Sequence, residues 1–105
     1  MPVHTFVRLE SLPGKAMEFR EELLRALKPT RAETGCLAIH VFESLREPCV
    51  FTIHSEWADE AAFEGHAQLP HTVRFLAAAE KLLTHPVQAL RTREIGGGAG
   101  PGAAE

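Results

Sequence analysis

Residues 50–75 read VFTIHSEWADEAAFEGHAQLPHTVRF, and this stretch decides the fold. Its first eight residues alternate: Phe51, Ile53, Ser55 and Trp57 fall on one face, Val50, Thr52, His54 and Glu56 on the other. Period-two patterning rich in β-branched and aromatic residues is the mark of a strand. It ends at Trp57, the only tryptophan in the chain. Asp59 then suits the N-cap of a short helix over Asp59–His66, because its side chain can accept from a free backbone N–H. Pro70 suits the start of a second helical piece, Pro70–Leu83. One strand and the helices after it thus bring Trp57, several rings and two histidines together.

Working outward, Val3–Glu10 alternates with apolar residues on both faces, as in a central covered strand. Pro13 suits the first position of a helix over Lys15–Glu33, whose apolar stripe is Ala16, Phe19, Leu23, Ala26, Leu27 and Thr30. Pro29 removes a backbone donor and is expected to kink this helix or end it near Leu27. Cys36–Ser44 and Val50–Trp57 form a hairpin around the polar turn at Arg46-Glu47-Pro48, with Val41 beside Ile53, Leu37 beside Trp57 and His40 opposite His54. A fourth strand is predicted over Val87–Ile95. The order βαββαβ implies an α+β, ferredoxin-like fold: an antiparallel four-stranded sheet with helices on one face. Residues 1–95 form the domain, and the Gly/Ala-rich residues 96–105 a disordered tail. The uncovered sheet face still carries Phe6 and Phe42, so a symmetric homodimer is expected to bury it.

At 105 residues with a net charge of −3, the chain suits one small domain and offers no basic stripe for nucleic acid. No apolar run is long enough to span a bilayer, and the N-terminus MPVHTFVRLE has no leader pattern, so membrane partners are not expected and cytoplasm is the expected compartment. Cys36 and Cys49 lie too far apart along the hairpin for a disulfide and are read as free thiols.

Pro13-Gly14-Lys15, Phe19, Pro29-Thr30-Arg31, Glu33, Gly35-Cys36-Leu37, Phe42-Glu43, Trp57, Ala61-Ala62-Phe63, His66, Pro70-His71 and Phe75-Leu76 together resemble the antibiotic biosynthesis monooxygenase domain family. The resemblance runs from Val3 to about Ile95. It implies a dimeric α/β barrel with a pocket in each subunit between sheet and helices. Members include cofactor-independent monooxygenases of quinols and polyketide anthrones, haem-degrading oxygenases and isomerases of small signalling sugars. Anthrone-type members place Asn, Trp and Tyr around the substrate; this chain keeps Trp57 but has no Asn or Tyr. Haem-degrading members need an Asn in the first strand and a ligating His in the second helix, and the region near Leu76 is aliphatic instead. Where many relatives carry Glu two residues before the Trp, this chain has Ser55, and Glu56 points away from the pocket.

The resemblance therefore implies a cofactor-independent monooxygenase acting on a small aromatic substrate, a quinol or polycyclic phenol. The alternative is a non-oxidative binding or isomerising protein on the same scaffold. His66 and His71 are the candidate catalytic bases, since imidazole titrates near neutrality. Trp57, Phe51, Ile53, Phe63 and Phe75 are the candidate substrate-binding residues, with His66 expected in the same cavity beside Trp57. Each has a plain structural role to set against this: core packing for Trp57, binding helix-terminal carbonyls for His66, capping for His71. No cofactor or metal is expected: the facing pair His40 and His54 lacks a third ligand at motif spacing. Arg8, Arg74, Arg91 and Arg93 are candidates for holding an anion. Nucleophile elbows, phosphate loops, dinucleotide fingerprints and HExxH are absent from the sequence.

Overall fold

The computed structural model describes residues 1–104. The elements in order are β1 (Val3–Glu10), α1 (Ala16–Arg31), β2 (Cys36–Glu43), β3 (Val50–Trp57), α2 (Glu60–His66), α3 (Pro70–Leu82) and β4 (Leu90–Thr92). The four strands form one antiparallel sheet in the order β2-β3-β1-β4, the ferredoxin-like arrangement. The inward sheet face, with Val7, Leu9 and Phe51, packs on Phe19 and Leu23 of α1 and Phe75, Ala79 and Leu82 of α3. Phe19 stands at the centre, fully buried, edge-on to Phe51 and tilted against Phe75.

The hairpin pairs Val41 with Ile53 and His40 with His54, as the alternation requires. A bulge between Cys36 and Ala38 puts Cys36, not Leu37, opposite Trp57. The extra residue leaves Leu37 unpaired, the ordinary consequence of a bulge.

Three expectations are corrected. Of the two outcomes expected at Pro29, a kink or an end near Leu27, the second does not occur: the helix runs on to Arg31, and Thr30 beyond the proline is buried. Packing of that last turn outweighs the one backbone bond that proline forfeits, as tertiary contacts usually do for short helices. Pro13 lies in the turn before the helix rather than in its first turn, and Gly14 follows at φ 78°, a left-handed conformation that glycine adopts freely. The fourth strand is only Leu90–Thr92. Upstream of it, Glu10 N–H donates to the His85 ring and Thr84 N–H to the Glu10 carbonyl, so this end of β1 is satisfied without a long edge strand. Beyond the sheet, residues 96–103 are exposed and a single 3-10 turn covers Pro101–Ala104; Glu105, the last residue of the expected tail, lies outside the described residues.

The outward sheet face exposes Phe6, Phe42 and Leu90 around His40 and His54. His54 stacks on Phe6 and on His4, and its Nε2 lies 2.8 Å from His4 Nδ1. Burial and the neighbouring His4 and His40 hold the His54 pKa below its usual 6.5. Cys36 and Cys49 are both free thiols.

Candidate functional site

A cavity of about 200 Å³ lies between the sheet and the helices, most of its wall apolar. Val7, Ile53 and Val41 line it from the sheet, Leu23 and Leu27 from α1, Phe75 and Leu76 from α3. Its sheet wall also carries two hydroxyls. Thr5 of β1 and Ser55 of β3 are register partners and hydrogen-bond to each other, and both are buried. Trp57 Nε1–H donates to Ser55 Oγ at 3.0 Å, so the indole holds this pair from behind.

The polar end of the cavity is built by three helix termini. Asp59 caps α2 by accepting from Ala62 N–H, as expected from the sequence, and His66 is the last residue of that helix. Ala67-Gln68-Leu69 forms a short turn, Pro70 begins α3 and His71 follows in its first turn. Glu33 comes from just past the end of α1. A single oxygen, Glu33 Oε2, lies 2.7 Å from His66 Nδ1 and 2.7 Å from His71 Nε2. An ionised carboxylate only accepts, so each of those nitrogens carries a proton. With one proton on each ring, the nitrogens left as acceptors are His66 Nε2 and His71 Nδ1. Thr72 Oγ1 lies 3.2 Å from His66 Nδ1 and offers a second acceptor there. The Trp57 ring lies 4.7 Å from the His66 ring and 5.7 Å from Phe63. Side-chain exposure is 10% for Glu33, 16% for His66 and 23% for His71, so water reaches the group without flooding it.

Of the residues picked out in the sequence, His66, His71, Ile53, Phe63 and Phe75 line the cavity. Phe51 and Trp57 do not. Alternation puts both on the correct face, but Phe51 is packed against Phe19, and Trp57, at 1% exposure, lies beneath Ser55 and the His66 ring. Their contribution is to fix residues that reach the cavity. Glu56 points away, toward His4 on the outward face. Three of the four candidate arginines are paired with acids, Arg8 with Glu10 and Glu47, Arg74 with Glu22 and Arg91 with Glu60 and Glu64, while Arg93 is exposed and has no place on the cavity wall. Neither Arg nor Lys lines the cavity among the described residues.

The sequence reading gave no role to Glu33, Thr5 or Thr72. One signal pointed to Glu33: a carboxylate at the C-terminal end of a helix opposes the macrodipole, which favours cations there. Cys36 feels the same charge. Burial chiefly, and Glu33 next, push its thiol above the usual 9.0.

Comparison with known proteins agrees with this architecture. The family model described as antibiotic biosynthesis monooxygenase matches residues 2–78. The Bacillus subtilis protein named "Putative monooxygenase YcnE" is 34% identical over 80 residues, covering 76% of this chain and 84% of its own. The structure of Rv0793 from Mycobacterium tuberculosis superposes with a TM-score of 0.86 at 25% identity, covering 94% of this chain and all of the other. PA3566 from Pseudomonas aeruginosa gives 0.84 at 28% identity, covering 90% and 95%. The chain belongs to the antibiotic biosynthesis monooxygenase family.

Proposed function

We propose that the chain oxygenates a hydroxyaromatic of one or two rings, a quinol or small phenol, with His66 as the base that removes the ring hydroxyl proton. The observation that carries this is the pairing of an apolar cavity with imidazoles held by one carboxylate at its end. His66 Nδ1–H is committed to Glu33, which leaves Nε2 as the acceptor nitrogen of a ring on the cavity wall. His71, tied to the same oxygen, holds Glu33 in place and can take the same role from Nδ1. A phenolate in apolar surroundings is electron-rich and poorly solvated, which favours electron transfer to dioxygen. For a quinol the balance closes without an added reductant: quinol plus dioxygen gives hydroxyquinone plus water.

Size and charge narrow the substrate. An engineered cavity of about 150 Å³ accepts benzene, so about 200 Å³ suits one substituted ring or two small fused rings rather than a long polycycle. The cationless wall favours an uncharged hydroxyaromatic over a sugar phosphate, against the non-oxidative alternative. A homodimer belongs to the same reading: Phe6, Phe42 and Leu90, 47%, 55% and 65% exposed on one sheet face, are buried if two sheets meet. Two free thiols suit a reducing compartment such as the cytoplasm.

The test is oxygen uptake with a panel of one-, two- and three-ring quinols, comparing wild type with His66→Ala. Turnover of the smaller quinols that falls with His66→Ala supports the reading. Turnover confined to sugar phosphates, or oxygen uptake indifferent to His66, overturns it. Light scattering checks the dimer against a chain mass of 11.5 kDa.

A further inference from the structure

We propose that Glu33, His66 and His71 form a binding site for a first-row divalent transition-metal ion, with Glu33 Oε2, His66 Nδ1 and His71 Nε2 as ligand atoms. These three atoms lie within 4.8 Å of one another. Two imidazoles and one carboxylate are the donor set that suits zinc, cobalt, nickel or ferrous iron, and two nitrogen donors disfavour magnesium and calcium. Metal–ligand bonds of about 2.0–2.2 Å set ligand atoms about 3.4 Å apart around a tetrahedral ion. Each nitrogen now lies 2.7 Å from the oxygen, so entry of an ion asks each of these two nitrogen–oxygen pairs to open by less than about an ångström.

The protonation chemistry is equally undemanding. Each neutral imidazole must hand its proton from the nitrogen facing Glu33 to the other ring nitrogen, a tautomer change with no net loss of charge. Glu33 pairs with no Lys or Arg among the described residues, so its negative charge is available to an ion. The ligands stand at the ends of α1 and α2 and in the first turn of α3, separate rigid elements that hold them near one point. His66 and His71 line the cavity, so an ion with three protein ligands keeps its open positions beside the space where a ring hydroxyl would sit.

The site goes against the expectation of no metal, which rested on spacing along the chain. Glu33 is 33 residues from His66, and the two histidines sit on different helices, so no linear motif displays them. The proposal stands apart from the oxygenation reading: an ion on Nδ1 moves the His66 proton to Nε2, so the metal-bound ring and the ring that acts as a base are alternative states of the same side chain.

Trp57 supplies the readout. It is the only tryptophan, and its ring lies 4.7 Å from that of His66, so Co2+ bound at the triad quenches its emission. The competing histidines, His4, His40 and His54, lie on the opposite sheet face and provide the control. EDTA-treated protein is titrated with Co2+, following tryptophan emission and, by equilibrium dialysis, stoichiometry. The expected result is one Co2+ per chain with quenching, half-saturation raised about tenfold or more in Glu33→Gln, His66→Gln and His71→Gln, and no change in His54→Gln. Far-UV circular dichroism checks that each variant is folded, and the wild-type titration stands without them. Stoichiometry near zero in wild type, binding without quenching, triad variants that bind as wild type does, or binding lost in His54→Gln each overturns the proposal.

Discussion

Replacing Gly35 with Ala tests whether the site depends on the close approach of the α1–β2 connection to α2. A Cβ built on Gly35 falls 2.5 Å from the Ala62 Cβ. Carbon atoms settle at about 3.5–4.0 Å, so α2 or the connection must retreat by about 1 Å. The connection is not free to move, since the Gly35 carbonyl accepts from Ala58 N–H at 2.9 Å. Overpacking of this kind costs about 1–3 kcal/mol. At about 4–8 °C per kcal/mol for a domain this size, the melting temperature should fall by about 4–24 °C. The displaced helix carries His66, so its contacts with Glu33 and Trp57 should loosen and ligand binding should weaken as well. The decisive measurement is a double-mutant cycle with Ala62→Gly. Alone, that substitution costs about 0.5–1 kcal/mol for a glycine inside a helix. Combined with Gly35→Ala it removes the clash, so the double variant should be more stable than the sum of the singles by about 1 kcal/mol or more. Strict additivity, or a Gly35→Ala variant as stable as wild type, would refute the steric reasoning.

The remaining predictions concern single side chains. Trp57→Ala should cost about 3–5 kcal/mol in chemical denaturation, because it empties a buried aromatic site, whereas His66→Ala, partly exposed, should cost under about 2 kcal/mol and act mainly on binding. Equal stability losses for the two would deny Trp57 its supporting role. His54 has a lowered pKa when folded, so its stability contribution is complete above pH 6.5 and is lost as pH falls from there toward the folded value. Melting temperature followed from pH 7.5 down to 5 should therefore drop less steeply in His54→Gln, and an unchanged slope would remove His54 as a cause. With its thiol pKa raised, Cys36 should react with iodoacetamide at neutral pH more slowly than a free thiol of ordinary pKa. Mass spectrometry of a peptide digest reads this directly, and fast labelling would count against the buried, acid-flanked environment.

The fold was legible because its signals are local and repeated. Alternation in Val50–Trp57 faces Phe51, Ser55 and Trp57 inward, and the structure keeps all three buried. The helix stripe through Phe19, Leu23 and Thr30 is the buried face of α1. The sequence misjudged places where a tertiary contact overrides a local preference. Packing of Thr30 carries α1 past Pro29, and the His85 ring takes a donor on β1 that a longer β4 would have served. The bulge at Leu37 shifted the pairing opposite Trp57 by one residue, which no alternation pattern displays.

The site was half legible, and the division follows from how it is built. Trp57, His66 and His71 lie within one short stretch, so proximity along the chain approximates proximity in space. Glu33 belongs to the group only because of the sheet. Cys36 pairs with Trp57 at the start of β2, which brings the end of α1 beside the end of β3. The turn from α2 to α3 then sets His66 and His71 against that corner. In the sequence Glu33 reads as one more charged residue at a helix terminus. Its position against the macrodipole is the only local hint that it serves another purpose. Two N–H donors on a single oxygen offset that unfavourable placement, and in return the oxygen fixes both rings. Stability of the acid and orientation of the histidines are therefore one interaction. Removing Glu33 should disturb both imidazoles together, whereas removing either imidazole leaves the other still held.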